Sequence, residues 1–576
     1  MGRNPASRSS VGPRTTDHGP RTTDHGPRTT DHGPRTTDPW ATVSCEQDVL
    51  LVARTAAALN RLLDVVTLLA GDTRLQIYLT HDAENPAMLG DGFPALVGGL
   101  GILTLTWDEA RTRHFGLVLS ASENDRLHQL SPPILLLSHG LGFQKFYPGT
   151  RVIAGLDPER SPATTTIGLS HPDQQRHLNA DQERRAAVVG DPALGRMAAS
   201  THRRDHYRAA LGADGRRLVV IASTWGPDSL YGSLPLLPER LCGQLPMDEY
   251  TVAVVLHPGI RARHSDWQVR AWLGRATTSG VRVVPPAGEW QAAVVAADCV
   301  LSDHGSMSAY AAARGVPLIL GPAVSDTTVP GSVVSDLADR CPRLDPDGDL
   351  RKQIDTAIAA DPVLPRPGTG HMRPPPSPAQ SRLNRLLPPS SPAQNRIDHA
   401  LAPDDPASAA PLRRQMYRML GLDEPGEPAE FPPLPVPAAL PATVGAWVAG
   451  IDDNGRLTRF PDSGAVHDDL PMRHVVADVE HATLTQVAGA TVLCSTAPGD
   501  LLAQWPQAVI AASPMEGGCR VRTRSGDDVV IRTEPGVDRW AAASWAYRRL
   551  RRGEPLTGPG LLRLGDREIT VRAEAH

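Results

Sequence analysis

The chain has 576 residues, of which 40% are hydrophobic and 21% are charged, and its formal net charge at pH 7 is −5. This length is enough for several domains, and the negative charge argues against a nucleic-acid-binding protein, which needs a basic surface. The six cysteines are scattered without a Cys-x-x-Cys pair, so we predict no zinc site, no disulfide framework and no cofactor.

Hydropathy along the chain indicates the cellular compartment. No run approaches the roughly 18 apolar residues of a membrane-spanning helix, and the N-terminus lacks the apolar core of a signal peptide. We therefore expect a cytoplasmic protein whose contact with the inner membrane face, if it makes one, is peripheral.

The first segment of the chain is a heptapeptide repeat. Residues 12–39 hold Gly-Pro-Arg-Thr-Thr-Asp-His three times, followed by a fourth copy that ends in Pro39. A proline in every copy and the absence of apolar a and d positions exclude a coiled coil. We predict a disordered tail over residues 1–40.

From residue 49 onward, short apolar runs alternate with helical patterns. A helix is predicted over 55–69, and the predicted strands cover 49–53, 75–79, 102–106, 116–119, 134–137, 152–154, 166–169 and 187–189. The pattern predicts a Rossmann-like α/β domain over 41–200. One of its strands leads into the glycine-punctuated turn Ser138–His139–Gly140.

A second and more regular α/β pattern covers residues 201–361. Its predicted strands are 218–222, 251–256, 281–284, 299–302 and 316–320. Helical runs between them imply right-handed crossovers and a parallel sheet. Small polar clusters follow four of these strands, at 223–226, 257–260, 285–289 and 302–306. Because a parallel sheet gathers such loops at its carboxyl edge, the clusters predict a ligand site there.

The last of these clusters is the turn Asp303–His304–Gly305–Ser306, which enters an alanine-rich helix. The first N–H groups of such a helix and the positive end of its dipole favour a phosphate, and the small residues let one approach. The alternative is an ordinary strand-to-helix turn capped by Ser306. Asp303 is expected to fix the turn, because aspartate at a strand end commonly accepts from the backbone two residues on.

The rest of the chain has a different composition. Residues 362–441 are proline-rich, with one short helical pattern at 412–420, and we predict an extended linker. Residues 442–576 alternate in short runs and predict a small β-rich α+β module.

Five short motifs occur in order between about 134 and 325, and with them this part of the chain resembles the CDP-glycerol glycerophosphotransferase family of teichoic-acid biosynthesis. The motifs are Ser138–His139–Gly140, Gly190–Asp191–Pro192, Thr224–Trp225–Gly226, His257–Pro258 and Asp303–His304–Gly305–Ser306. The resemblance implies a GT-B fold of two facing Rossmann-like domains, with an acceptor domain followed by a nucleotide-donor domain. The chain departs from the family at Gly226, His304 and Gly305, where the family has arginine, tyrosine and serine.

The resemblance also implies the roles of individual residues. His139 would act as general base on an acceptor hydroxyl, and His257 would hold the donor phosphate. The implied substrate- and nucleotide-binding residues are Gly140, Thr224, Trp225, Pro258, Glu289, Asp303, Gly305 and Ser306.

The function that follows is transfer of a glycerophosphate-like or glycosyl group. The donor would be nucleotide-activated, CDP-glycerol-like or a UDP-sugar, and the acceptor a polyol or a cell-surface polymer precursor. Two alternatives stay open. One is a catalytically degenerate GT-B scaffold that binds a nucleotide ligand, which the departures at Gly226 and Gly305 favour. The other is an enzyme similar to the UDP-N-acetylglucosamine 2-epimerases, because the Asp-x-Gly turn at 303–305 resembles a turn of those enzymes.

Overall fold

Two parallel sheets and a closed barrel are present in the part of the chain that the computed structural model describes. That part comprises residues 42–84, 93–138, 140–147, 149–285, 288–322, 327–360, 409–438, 442–497 and 499–576. The predicted tail over 1–40, His139 and the predicted linker up to residue 408 lie outside the described residues. Cys45 to His576 cluster as one unit.

The first sheet has seven strands. They are β1 Gln47–Val52, β2 Leu75–Thr80, β3 Leu103–Leu105, β4 Leu117–Ser120, β5 Ile134–Leu137, β6 Thr165–Leu169 and β7 Ala186–Val188. Their spatial order is β3-β2-β1-β4-β5-β6-β7, and all pairs are parallel. The strand predicted at 152–154 forms only an isolated bridge, between Phe146 and Ile153.

Helices accompany this sheet, so the central strands are buried along their length and form uninterrupted apolar runs. The helices are α1 Ala56–Val66, α2 Phe93–Gly98, α3 Trp107–Thr112, α4 Ala180–Arg184 and α5 Pro192–Ala199. The next helix, α6 Arg204–Ala210, packs in the core of the second region. The side chain of Thr55 caps α1 by accepting from the Ala58 N–H.

The second sheet has five parallel strands. They are β8 Arg217–Ser223, β9 Tyr250–Leu256, β10 Arg282–Val284, β11 Cys299–Ser302 and β12 Leu318–Leu320, in the order β10-β9-β8-β11-β12. Its helices are α7 Leu230–Ser233, α8 Leu237–Gln244, α9 Pro258–His264, α10 Asp266–Trp272, α11 Gly274–Thr278, α12 Trp290–Ala296, α13 Ser306–Ala313, α14 Val333–Arg340 and α15 Leu350–Ala359. In each sheet the first strand lies in the interior, and later strands are added first on one side of it and then on the other. This strand order is typical of a Rossmann-like fold, so the prediction of two Rossmann-like regions is confirmed.

Residues 409–438 contain the short helix that we predicted at 412–420, but they pack against the rest of the chain and do not form an extended linker. Helix α16, Ala409–Leu420, buries Leu412 and Met416 in the core beside the first sheet. The segment 421–438, which we call the strap, then continues to the second region, where Leu434 is fully buried. The backbone of Leu434 accepts from Tyr207 Oη at 2.9 Å and donates to Ser200 Oγ at 2.8 Å.

The C-terminal module is a closed nine-stranded barrel, which we did not predict. Its strands are β13 Ala446–Ile451, β14 Arg456–Pro461, β15 His474–Asp478, β16 Val492–Cys494, β17 Ile510–Met515, β18 Gly518–Thr523, β19 Asp528–Arg532, β20 Gly558–Leu564 and β21 Arg567–Ala575. Its helices are α17 Leu484–Gly489, α18 Leu501–Gln504 and α19 Ala541–Arg552. Seven consecutive residues of α19, from Ala541 to Tyr547, are buried, so this half of the helix is covered on every side.

Arginine 459 joins the barrel to the second sheet. The buried guanidinium of Arg459 donates to both carboxylate oxygens of Asp248, at 2.9 and 2.6 Å, and also pairs with Asp538. Asp248 lies just before β9, so the barrel contacts the amino edge of the sheet, away from the carboxyl-edge loops. Among the described helices, none combines the length and apolarity needed to cross a bilayer.

Candidate functional site

Asp303 holds together the two strand ends at the switch point of the second sheet. One oxygen of its buried carboxylate accepts from the N–H of Thr224 at 2.8 Å and from that of Leu230 at 2.9 Å. The same oxygen accepts from Thr224 Oγ1 at 3.0 Å, and the other accepts from the Gly305 N–H at 3.0 Å. The bond from the Gly305 N–H, two residues after Asp303, is the one that we predicted for this turn. Asp303 therefore fixes the loops after β8 and β11 against each other.

Two glycines shape these loops. A methyl group at Gly305 would overlap Cγ2 of Thr224, so the close approach of the two loops requires glycine there. Gly226 has φ +96°, a left-handed conformation that a residue with a side chain adopts only under strain. The two glycines that depart from the family motifs are thus explained by the backbone conformation and the close packing of these loops.

Helix α13 begins directly after this turn. Gly305 occupies the N-cap position and makes no side-chain capping bond, so Ser306 is the first helical residue rather than the cap. The first N–H groups of a helix have no partner within it and carry the positive end of the dipole. They lie next to the switch point, where ligands of parallel α/β sheets bind.

His257 follows β9, the neighbour of β8 in the sheet. Its Nδ1 accepts from the Gly259 N–H at 3.0 Å and caps α9, in which Pro258 is the first residue. A neutral ring whose Nδ1 accepts carries its proton on Nε2. That tautomer presents an N–H donor, which suits a phosphate oxygen and does not suit proton abstraction.

The loop after β5 of the first sheet meets the start of α13. A Cβ built on Gly140 would lie 3.1 Å from Cβ of Ser306, so the two backbones approach closely. His139, the predicted general base, lies outside the described residues, but both of its neighbours are described. Carboxyl-edge loops of the two sheets therefore face each other here, which is the arrangement of a GT-B fold.

A buried network fixes this junction. The Arg61 guanidinium of α1 binds both Asp191 oxygens, at 2.9 and 2.7 Å, and donates to the Ser138 carbonyl at 3.1 Å. Tyr310 Oη of α13 donates to Asp191 at 3.1 Å. Burial alone would lower the pKa of Arg61, but Asp191 raises it above the ordinary value and keeps the group charged.

A second contact of α1 supports the same junction. Gln291 of α12 donates to Asp64 at 2.7 Å, and Arg196 pairs with the other oxygen of Asp64 at 2.7 Å. Helix α1 is thus bound to α12 and α13 through side chains that the sequence analysis did not single out, except for Asp191. The sequence signal was the charge of Arg61 and Asp64 within the otherwise apolar helix α1.

Two other predicted residues have different surroundings. Glu289 accepts from the Ala438 N–H of the strap at 2.7 Å, and burial raises its pKa. Trp225 follows β8 and is 43% exposed. Glu289 is therefore already engaged by the chain through one oxygen, whereas the Trp225 indole is accessible to a ligand.

A small pocket lies beside the junction. Its walls come from the loops after β5 and β6 and from the start of α14, and they include Gln144, His171, Arg176, His177, Ser332 and Asp336. Arg176 donates to the Gly331 carbonyl and so joins the two regions at this point. The lining combines these hydrogen-bonding groups with the apolar side chains of Phe143 and Val333.

Comparisons with known proteins found distant structural likenesses. No family model and no curated protein matches the chain. Solved structures with which it aligns include one of the wall teichoic acid polymerase TagF with CDPG, at 11% identity and a TM-score of 0.42, covering 66% of this chain and 90% of that one. Another is the Anabaena protein Alr3699/HepE with UDP and glucose, at 13% identity and a TM-score of 0.35, covering 65% and 99%. A third is S. aureus MnaA with UDP, at 11% identity and a TM-score of 0.37, covering 67% and 100%.

Proposed function

We propose that the protein is a transferase that moves a glycerophosphate-like or glycosyl group from a nucleotide-activated donor to a polyol or a cell-surface polymer precursor. The observation that carries this proposal is the junction at Gly140 and Ser306, where carboxyl-edge loops of two Rossmann-like sheets meet. Each of these edges is where parallel α/β sheets bind ligands. Two such edges in contact suit a reaction between two substrates.

The second sheet would hold the donor. The phosphate would lie at the start of α13, and the Nε2–H of His257 would donate to one of its oxygens. Negative charge builds on the departing nucleotide as its bond breaks, and the α13 dipole stabilises that charge. Thr224 and Trp225 would line the same side of the cleft.

The acceptor would bind on the side of the first sheet. In the proposed step, His139 takes the proton of an acceptor hydroxyl while that oxygen attacks the phosphorus of the glycerophosphoryl group or the anomeric carbon of a sugar. The nucleotide leaves with the electron pair of the broken bond, as CMP in the first case and as UDP in the second.

A donor panel tests the proposal. Purified full-length protein is incubated with CDP-glycerol, CDP-ribitol or a UDP-sugar, together with a polyol acceptor, and released CMP, CDP and UDP are quantified. We expect release from one donor class. We also expect His139→Ala to lower kcat by about 10²- to 10⁴-fold, the usual contribution of a positioned base, while His202→Ala, at an exposed position, retains activity.

The same experiment separates the two alternatives. Nucleotide binding without release from any donor would favour a scaffold over an enzyme. Interconversion of the sugar with no acceptor present would favour an epimerase. Either result would overturn the transferase proposal.

Peripheral contact with an anionic membrane is supported by the surface of α10. Trp267 is 69% exposed and Trp272 is 42% exposed, and Arg263, Arg270 and Arg275 are exposed in the same stretch of the chain. Tryptophan and arginine together suit a headgroup interface. We expect Trp267→Ser to reduce cosedimentation with phosphatidylglycerol vesicles, while Leu236→Ser, at another exposed apolar position, does not. Equal loss in both variants would contradict a specific membrane surface.

A further inference from the structure

Lys145 is held on a short ribbon that links the two α/β regions. Its carbonyl accepts from the Ala154 N–H at 2.9 Å, and Lys145 forms an antiparallel bridge with Thr328. On either side, the Phe146 N–H donates to the Thr327 carbonyl at 2.7 Å, and the Gln144 carbonyl accepts from the Val329 N–H at 2.9 Å. The backbone position of this lysine is therefore fixed by both regions.

The ammonium group of Lys145 has no carboxylate partner among the described residues. The side chain is half-buried, and burial lowers its pKa, which the nearby charge of Asp303 partly offsets. Asp303 accepts from the backbone of Thr224, Leu230 and Gly305 and forms no direct ion pair with Lys145. Lys145 thus lies within electrostatic reach of Asp303 without a direct ion pair.

A second group beside it also lacks a partner. The Nδ1 atom of His304 is buried and makes no hydrogen bond with any described residue. Burial lowers the pKa of His304 and the charge of Lys145 lowers it further, while the charges of Asp303 and Asp228 act in the opposite direction. Two groups that can bear positive charge therefore lie near each other at the start of α13, an arrangement that an anion would stabilise.

We propose that Lys145 is a phosphate-binding residue of the donor site, contributed by the first α/β region to a ligand held by the second. The ligand group is the diphosphate of a nucleoside diphosphate or of a donor built on one. Lys145 binds it together with His304 and the first N–H groups of α13. This assignment rests on the proposed function, and it adds that donor binding draws on both regions at once.

The lysine content of the chain makes a direct test possible. Lys145 and Lys352 are the only two lysines in the sequence, and Lys352 lies exposed on α15. Reductive methylation of the full chain, read by mass spectrometry of the two lysine peptides, therefore reports on Lys145 with Lys352 as an internal reference. We expect saturating CDP or UDP to protect Lys145 several-fold and to leave Lys352 unchanged.

Variants test the same contact by affinity. A hydrogen bond to a charged group contributes enough that Lys145→Met should weaken CDP or UDP binding about tenfold to a hundredfold in titration calorimetry. Lys145→Arg should recover most of the affinity, because it keeps the charge. Lys352→Met should bind like the unaltered protein. Unchanged thermal unfolding of Lys145→Met would exclude loss of folding as the cause.

The outcomes separate this inference from the proposed function. Nucleotide binding with equal methylation of Lys145 in its presence and absence, or with full affinity in Lys145→Met, would overturn the role of Lys145 and leave the transferase proposal standing. Absence of any nucleotide binding and of donor turnover would overturn both.

Discussion

At the scale of single residues, the candidate site depends on one close approach. Gly305 and Thr224 belong to loops after neighbouring strands, and Asp303 binds both of them. The two strand ends can only be this close because Gly305 has no side chain. Glycine at 305 and glycine at 226 are thus requirements of this backbone rather than simple losses of functional groups.

A matched pair of substitutions tests this contact. Gly305→Ala should destabilise the protein by about 1 to 3 kcal/mol, because overpacking forces the backbone apart. Thr224→Ser removes the methyl group that the new Cβ would strike and keeps the hydroxyl that donates to Asp303. The double variant should therefore regain most of the stability lost in Gly305→Ala, as measured by urea unfolding. Simple additivity of the two effects would contradict the contact.

At the scale of secondary-structure elements, buried apolar runs made the two sheets predictable. Strands such as β5 and β8 are covered on both faces, so their sequences stand out without any knowledge of the fold. The barrel did not stand out. Its strand β14 pairs with β20 across about a hundred residues, which no local pattern records.

The strap was mispredicted for a physical reason. Its prolines lack N–H groups, which favoured an extended linker. The structure uses their carbonyls instead, since those of Pro432 and Pro433 accept from Arg196 at 3.4 Å. A proline-rich segment can therefore pack closely when its neighbours supply the donors.

The barrel offers a prediction about pH. His474 of β15 is buried between the Met472 carbonyl and Ser544 Oγ, at 2.9 Å from each, and burial lowers its pKa to about 4. The unfolded chain therefore binds more protons than the folded one between about pH 6.5 and pH 4, and stability should decrease as pH falls through that window.

Hydrogen exchange of the barrel strands at several pH values measures this effect. We expect about 2 to 3 kcal/mol of protection to be lost across the window and the slope to flatten in His474→Gln. His202→Gln, at an exposed position, should keep the original slope. A variant of His474 with an unchanged slope would assign the pH dependence to other groups.

At the scale of the whole molecule, the central feature is the buried junction between the two α/β regions. The resemblance located the motif Gly190–Asp191–Pro192, but no sequence pattern paired Asp191 with Arg61 130 residues away. The resemblance did not single out Lys145 either. Lysine is rare in this arginine-rich chain, but that rarity carries no information about where the residue lies in the fold. The sequence alone thus predicted the loops of the site, but it did not predict the long-range contacts that bring them together.

Removal of one charge should loosen this junction. Asp191→Asn leaves Arg61 buried without its partner and should cost about 3 to 5 kcal/mol. Asp181→Asn removes a carboxylate that is paired at the surface and should cost about 1 kcal/mol or less. The free energies of unfolding in urea measure the difference. Equal stability of the two variants would show that the buried pair does not hold the regions together.

The most direct test of the central claim is hydrogen exchange of the full chain with and without CDP or UDP. We predict slower exchange at the carboxyl ends of β8, β9 and β11, within 224–226, 257–260 and 303–308, and at the loop around residues 140–146. Slower exchange confined to the barrel, with these loops unaffected, would contradict a donor site between the two sheets.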